Sequence, residues 1–185
     1  ELFVLYGRRR VGKTELLRAF CRDKPHIFFI ATLSSDSEQL ATFSQQVYGF
    51  IHSDVPAGFT FPSWEAALRA LSEFPTQPKP IIVLDEFTYL ISGNKAIPSI
   101  LQKVWDETLK NIPIMMVLCG SYIGMMEKEV LGYQAPLYGR RTASFLLQPM
   151  DLPSSALFFP GYSAEEKFIT WAVVGGMPFY LRTFR

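Results

Sequence analysis

The sequence is poor in residues that organise redox or metal chemistry. Its two cysteines, Cys21 and Cys119, lie far apart in apolar settings with no Cys-x-x-Cys spacing. That excludes a disulfide framework or a thiolate metal knuckle and leaves two buried, reduced thiols. His26 and His52 have no ligand spacing around them and are assigned no chemistry. Charge of either sign is also lacking. Eighteen Lys and Arg against 17 Asp and Glu leave a net charge of +1, with no electrostatic footprint for nucleic acid. Three of those cations, Arg8 to Arg10, are consecutive, so the remainder is near neutral or acidic. No apolar run approaches the length of a membrane span and no signal peptide is visible, so no membrane partner is expected and the cytoplasm is the expected location. Internal repeats and low-complexity tracts are absent.

What is present is apolar. Hydrophobic residues make up 49% and aromatics 15% of 185 residues, which excludes a disordered chain and suffices for one domain plus a small appendage. The chain opens at Glu1 and enters an apolar run at once, so it is expected to be a piece of something longer.

That first run, Leu2 to Tyr6, leads into Gly7-Arg8-Arg9-Arg10-Val11-Gly12-Lys13-Thr14, a Gly-x-x-x-x-Gly-Lys-Thr phosphate-binding loop. Glu15 to Phe20 follows at helical spacing, so the motif stands between a strand and a helix, the context that gives it meaning. Backbone N–H groups from Gly7 to Gly12 curl around an anion, and the glycines permit the angles and the close approach. The N-terminus of the new helix faces the same anion. Lys13 supplies a point charge to the terminal phosphates, Thr14 a hydroxyl ligand for Mg²⁺, and Glu15 completes the set of nucleotide-binding residues.

Further apolar runs predict strands at 26–31, 81–84, 114–119 and 142–147. Helices are predicted at 38–51 (N-caps among Ser34 to Ser37), 63–71, 98–111 and 122–130. Residues 53–62 and 87–94 read as loops. The strands are continuously apolar rather than alternating, which fits a parallel sheet buried on both faces and a doubly wound α/β core. After Pro149 the pattern changes to helices at 153–159, 164–174 and 178–184 with no strand between them. Residues 1–148 are therefore expected to form the core and 149–185 the start of a helical subdomain.

Three polar residues, Asp85, Glu86 and Ser121, fall where ligands bind in such a sheet, beyond the carboxyl ends of strands. Asp85 ends the third strand and is placed to hold Mg²⁺ or its water beside Thr14. Glu86 is placed to polarise the water that attacks a γ-phosphate. The bland alternative is a solvated turn. The adjacent Glu also suggests a strand lying between the loop strand and this one. Ser121, after the fourth strand, reads either as a hydrogen-bonding partner of the γ-phosphate or attacking water, or as a helix N-cap. Glu127 reads as a solvated helix residue or a partner for an arginine. Arg140 and Arg141 read as an arginine finger toward a neighbouring subunit or domain, or as a basic surface turn. The side chains of Arg8, Arg9 and Arg10 are expected to point outward, to acidic partners or another domain. Gly175-Gly176-Met177-Pro178 is a turn opening a helix, with Pro178 either merely turning the chain or packing on an adenine face.

Together, Gly7 to Thr14, Leu84-Asp85-Glu86-Phe87, Gly120-Ser121, Leu137 to Arg141 and Gly176 to Leu181 resemble the archaeal-type ATPases of the STAND branch of AAA+ proteins, found in archaea and bacteria. The resemblance covers essentially the whole chain. It implies an α/β P-loop NTPase of the AAA+ (ASCE) type: a three-layer sandwich with parallel sheet order 5-1-4-3-2, then a helical lid and a winged-helix domain. It implies that Lys13 and Thr14 bind phosphate and Mg²⁺, that Asp85 supports Mg²⁺, and that Glu86 activates water. Ser121 matches the sensor position, Arg140 or Arg141 the arginine-finger region, and Pro178 the adenine contact of the lid. The Gly-Arg-Glu segment that precedes the first strand in the family is absent, as are the rest of the lid and the winged helix. The expected function is an ATP-binding and ATP-hydrolysing switch with ATP and Mg²⁺ as cofactors. The alternative is a regulatory module that binds nucleotide with negligible hydrolysis; a P-loop kinase is weaker, for want of an acceptor site. ATP and ADP are the expected ligands. A homo-oligomer or an effector protein is the expected partner, with DNA only through the missing C-terminal region.

Overall fold

The computed structural model describes residues 1–184; Arg185, the last residue of the expected lid segment, lies outside the described residues. Five strands form one parallel sheet: β1 (Leu2–Tyr6), β2 (His26–Ile30), β3 (Ile81–Asp85), β4 (Met115–Gly120) and β5 (Ala143–Leu146). Their order is β2-β3-β4-β1-β5, which is 5-1-4-3-2 read from the other edge, as expected. β4 separates the loop strand β1 from β3, as the Asp-Glu pair suggested. The register sets Tyr6 opposite Gly120 and Leu84 opposite Leu118, so β1, β3 and β4 end at one rim.

Parallel neighbours need crossovers, and helices supply them. They are α1 (Lys13–Cys21), α2 (Asp36–Ile51), α3 (Trp64–Ala70), α4 (Phe87–Gly93), α5 (Ile97–Glu107) and α6 (Ile123–Met126). A single 3₁₀ turn, Leu109–Asn111, ends the segment predicted as one long helix, and a π-helical turn, Glu127–Leu131, continues α6. The period-2 alternation of the strands divides the core. Leu2, Val4, Ile82, Leu84, Met116 and Leu118 face the larger cluster, which includes α2 to α5. Leu5, Ile81, Val83, Val117 and Cys119 face Leu17 and Cys21 of α1. Both thiols are free and buried, as the sequence implied.

Two expectations fail. Residues 87–94 are not a loop: α4 buries Phe87, Leu90 and Ile91 at helical spacing in the larger cluster. Its end is fixed when Asn94 Nδ2 donates to Asp36 Oδ2 (3.1 Å), while Trp64 Nε1 donates to the other Asp36 oxygen (2.8 Å). Nor is β5 buried on both faces. It is an edge strand with β1 as its one strand neighbour; Ala143, Ser144 and Phe145 are exposed, and none of its residues belongs to either cluster.

Beyond Pro149 come α7 (Leu152–Ala156), α8 (Ala164–Val174) and α9 (Pro178–Thr183). α8 opens on a capping box made by Ser163 and Glu166, which satisfies two orphan donors reciprocally. The turn before α9 crosses the strand-to-helix linker so closely that a Cβ on Gly176 would lie 1.7 Å from the Met150 carbonyl oxygen. Here glycine is required by approach, not by φ. The crossing is sealed by the Met150 N–H donating to the Gly176 carbonyl at 2.7 Å. Among the described residues, no helix is long and apolar enough to cross a membrane.

Candidate functional site

The loop after β1 is held open by three backbone choices. Gly7 sits at φ 155°, where a Cβ would lie 2.4 Å from the Leu147 carbonyl oxygen, so that wall admits no side chain. Arg10 (φ 68°) and Gly12 (φ 100°) take left-handed angles. Such a conformation is ordinary for glycine and uncommon for arginine, and strain of this kind concentrates at working sites. Among the described residues, the N–H groups of residues 8–12 donate to no backbone carbonyl in a turn or loop, and the first N–H groups of α1 have no partner within the helix. They form a cup of donors at the start of α1, where the helix dipole also favours an anion.

Lys13 is buried beneath this cup. Its ammonium donates to the carbonyls of Gly7 (2.8 Å) and Arg8 (3.0 Å). Burial is the main reason its pKa lies below the ordinary lysine value; Asp85 and Glu86 act against the shift and Arg9 adds to it. An arriving anion supplies the counter-charge that the folded chain provides only partly.

The rim of β3 completes the arrangement. The Thr14 hydroxyl donates to Asp85 Oδ2 at 2.7 Å, and the other Asp85 oxygen accepts the Glu86 N–H at 2.9 Å. Asp85 is buried. Burial, reinforced by the Asp85 carboxylate, pushes the Cys119 thiol well above the ordinary range, so this cysteine stays protonated and inert. Glu86 takes a left-handed φ of 52° at the start of α4, which turns its side chain out of the strand direction. Ser121 Oγ donates to Glu86 Oε1 at 2.8 Å. Ser121 does not cap α6: Tyr122 holds that position, with no side-chain cap bond. Asp85 at the end of β3, Glu86 after it and the lysine of the loop therefore meet at one rim.

A cleft of about 1170 Å³ opens over these groups. Loop residues from Arg9 to Glu15 line one side, Glu86 and Ser121 the floor, and Met150, Pro178, Phe179 and Arg182 the far wall. Pro178 Cγ lies 3.8 Å from where a Cβ on Gly12 would be, so the proline closes directly over the loop. Arg10 spans the gap, donating to the Tyr180 hydroxyl at 2.8 Å with its guanidinium 4.5 Å from the Phe179 ring centre. Arg9 turns the other way and donates to the Tyr89 hydroxyl. Where acidic partners or another domain were expected, Arg9 and Arg10 meet tyrosine hydroxyls, that of Arg10 on the segment after Pro149; Arg8 is exposed. Sequence reasoning missed Tyr89 and Tyr180, which carry no local signal for the role.

Arg140 and Arg141 lie elsewhere. Thr142 bonds to Leu2 at the start of β1, so both arginines sit at the end of the sheet opposite the loop. Arg140 grips Asp106 of α5 with Nε at 2.9 Å and Nη2 at 2.7 Å, and Arg141 donates to the Leu131 carbonyl at 3.0 Å. Neither reaches the cleft of its own chain. Glu127 is exposed. Glu15 is exposed on the cleft side and pairs with Arg18 at 3.6 Å.

The oxygen donors fit a small hard cation. Thr14 and Asp85 present a hydroxyl and a carboxylate within 2.7 Å of each other at the foot of the cleft, the ligand type Mg²⁺ takes when it keeps most of its waters. The cup of unpaired N–H groups fits a polyphosphate.

A family model described as an ATPase domain predominantly from Archaea matches residues 1–184. An uncharacterised protein of Methanocaldococcus jannaschii, MJECL04, is 32% identical over 181 residues, 98% of this chain and 38% of its own length. The chain thus spans well under half of that relative. Among solved structures, the Walker-type ATPase PABY2304 of Pyrococcus abyssi superposes with a TM-score of 0.66 at 22% identity, over 97% of this chain and 60% of that one. RuvB of Thermotoga maritima superposes with a TM-score of 0.55 at 15% identity, over 98% and 52% of the two chains. At such identities the two structures speak for the fold alone.

Proposed function

The chain belongs to the ATPase domain family found predominantly in Archaea, and we propose that it is the ATP-binding and ATP-hydrolysing switch module of a STAND-type AAA+ protein. The observation that carries the reading is the bond from Thr14 to Asp85, set beneath a cleft that Lys13, Glu86 and Ser121 share. In this reading residues 1–148 are the catalytic core and the segment from Pro149 onward begins the lid.

The loop N–H groups and Lys13 cradle the phosphates. Thr14 and Asp85 hold Mg²⁺, which when bound neutralises charge on the phosphate oxygens. Glu86 takes the proton from a water whose oxygen forms the new bond to the γ-phosphorus, as the bond to the bridging oxygen of ADP breaks. Ser121 holds one Glu86 oxygen and leaves the other to face the water. Pro178 offers a rigid apolar surface to adenine at low entropic cost. Because core and lid both line the cleft, ATP bridges them, and hydrolysis removes contacts that keep them closed. Arg140 or Arg141 serves a second copy of the chain, since neither reaches its own cleft. An effector protein, or DNA through a region outside this chain, is the partner the switch would address. The location proposed is the cytoplasm.

Phosphate release from Mg-ATP by wild type and Glu86→Gln tests the reading. The Gln variant should still bind ATP while turnover falls by roughly 10²–10⁴-fold, the usual worth of a positioned general base. If both proteins are equally inert while ATP binds, the chain is a nucleotide-binding regulatory module instead.

A further inference from the structure

The main cleft adjoins a smaller cavity of about 290 Å³ between the loop and α4, and the residues that line both are Arg9, Glu86 and Ser121. Arg9 thus stands at the one boundary where the proposed water-activating acid and its serine also stand. The left-handed turn at Arg10 separates neighbouring side chains, sending Arg10 to Tyr180 on the lid and Arg9 to Tyr89 on α4.

The partners of the arginines differ in kind. Arg140 is gripped by the Asp106 carboxylate, and Arg69 by Glu65 and Glu107. Arg9 has no carboxylate partner among the described residues; it rests on a tyrosine hydroxyl, with the guanidinium 6.0 Å from the ring centre. An exposed cation on an aromatic ring is weakly held. A guanidinium offers a planar fork that matches two phosphate oxygens, and phosphate is a far stronger acceptor than a phenol. Arg9 is also close enough for its charge to act on Lys13 beneath the cup.

We propose that Arg9 is a γ-phosphate-reading arginine supplied in cis by the phosphate loop, parked on Tyr89 when no triphosphate is present. In the ATP state the guanidinium leaves the tyrosine hydroxyl and donates to γ-phosphate oxygens beside Glu86 and Ser121. ADP has no such oxygens, so Arg9 returns to Tyr89 after phosphate leaves. The role gives the loop its own test of triphosphate against diphosphate, independent of any arginine from a second copy. It rests on the reading of the cleft as an ATP site.

Calorimetric titration with Mg-ADP and with a Mg-bound non-hydrolysable ATP analogue tests it, using wild type, Arg9→Ala, Arg9→Lys and Lys13→Ala. Arg9→Ala should weaken the analogue by about ten- to a hundredfold, the worth of a charged hydrogen-bonding group, and leave ADP affinity unchanged. Arg9→Lys should fall between, since a point charge replaces the fork. Both variants should melt with wild type in the absence of nucleotide, because Arg9 is exposed. Equal losses for analogue and ADP, or no loss for the analogue, overturn the inference while leaving the ATP site standing. If wild type binds neither ligand, or Lys13→Ala binds both as wild type does, the site itself is wrong and the inference falls with it.

Discussion

Replacing Gly176 by alanine probes the junction on which the whole cleft wall depends. The added Cβ would sit 1.7 Å from the Met150 oxygen and 2.7 Å from its nitrogen and carbonyl carbon. All three are backbone atoms, so no rotamer relieves the clash and the two segments must separate by more than an ångström. Two hydrogen bonds converge there: Met150 N–H to the Gly176 carbonyl at 2.7 Å, and Trp171 Nε1 to the Met150 carbonyl at 3.2 Å. Losing both at about 0.5–1.5 kcal/mol each, with overpacking strain of about 1–3 kcal/mol, gives roughly 2–6 kcal/mol. The cost falls on α8 and α9, which can open without unfolding the sheet. Trp171 reports it, because Trp64 and Trp105 are buried in the core and should keep native emission. Gly176→Ala should show red-shifted Trp171 fluorescence and faster amide exchange after Pro149. Mg-ATP should bind more weakly, since Pro178 and Phe179 lose their place over the loop. Native emission, exchange and affinity together would refute the close crossing and the argument built on it.

Two further predictions follow from pairs at opposite ends of the sheet. Thr14→Ala removes the hydroxyl that donates to buried Asp85, leaving an oxygen unpaired; stability should fall by about 1–3 kcal/mol in chemical denaturation, and Mg²⁺ should no longer strengthen nucleotide binding. Asp106→Asn removes the carboxylate gripped by Arg140, at side-chain exposures of 37% and 29%, so solvent screening limits the loss at neutral pH to under about 1 kcal/mol. Its hydrogen bond from Arg140 holds the Asp106 carboxyl below the ordinary 3.8. The folded value is depressed, so the stabilisation is complete above 3.8 and disappears as pH falls through the folded value. Wild type and Asp106→Asn should therefore converge in acid; a gap that persists or widens there would contradict the assignment.

The parts of the molecule that a local pattern specifies were legible. A loop motif flanked by a strand and a helix, and acids at a strand end, are short-range signals; the Asp-Glu pair suggested one intervening strand, and the full sheet order came from the family resemblance. The lost helix α4 shows the limit. Its first residue follows a left-handed Glu86, the helix has no side-chain cap, and apart from Leu90 it is built from Phe, Thr, Tyr, Ile, Ser and Gly, which are middling or poor helix formers. Burial of Phe87, Leu90 and Ile91 overrides that preference, though their i, i+3, i+4 spacing was there to be read. The exposure of β5 reflects where the core clusters end, since β2, at the other edge, still buries Ile27 and Phe29; its own residues do not encode that. The loop arginines were expected to point to acidic partners or another domain; Tyr89 and Tyr180 reach Arg9 and Arg10 only through the fold, as Ser121 reaches Glu86. Arg140 followed charge logic, but the partner in α5 that removes it from its own cleft is likewise set by tertiary structure.

Thermal melting with and without Mg-ATP, in wild type and Lys13→Ala, tests most directly whether the cup, the lysine and the two acids form one nucleotide pocket. At a hundred times the dissociation constant the ligand adds about 2.7 kcal/mol, which for a chain of this size is a rise of roughly 5–11 °C. Wild type should show that rise and Lys13→Ala should lose most of it; an equal rise in both proteins would contradict the pocket.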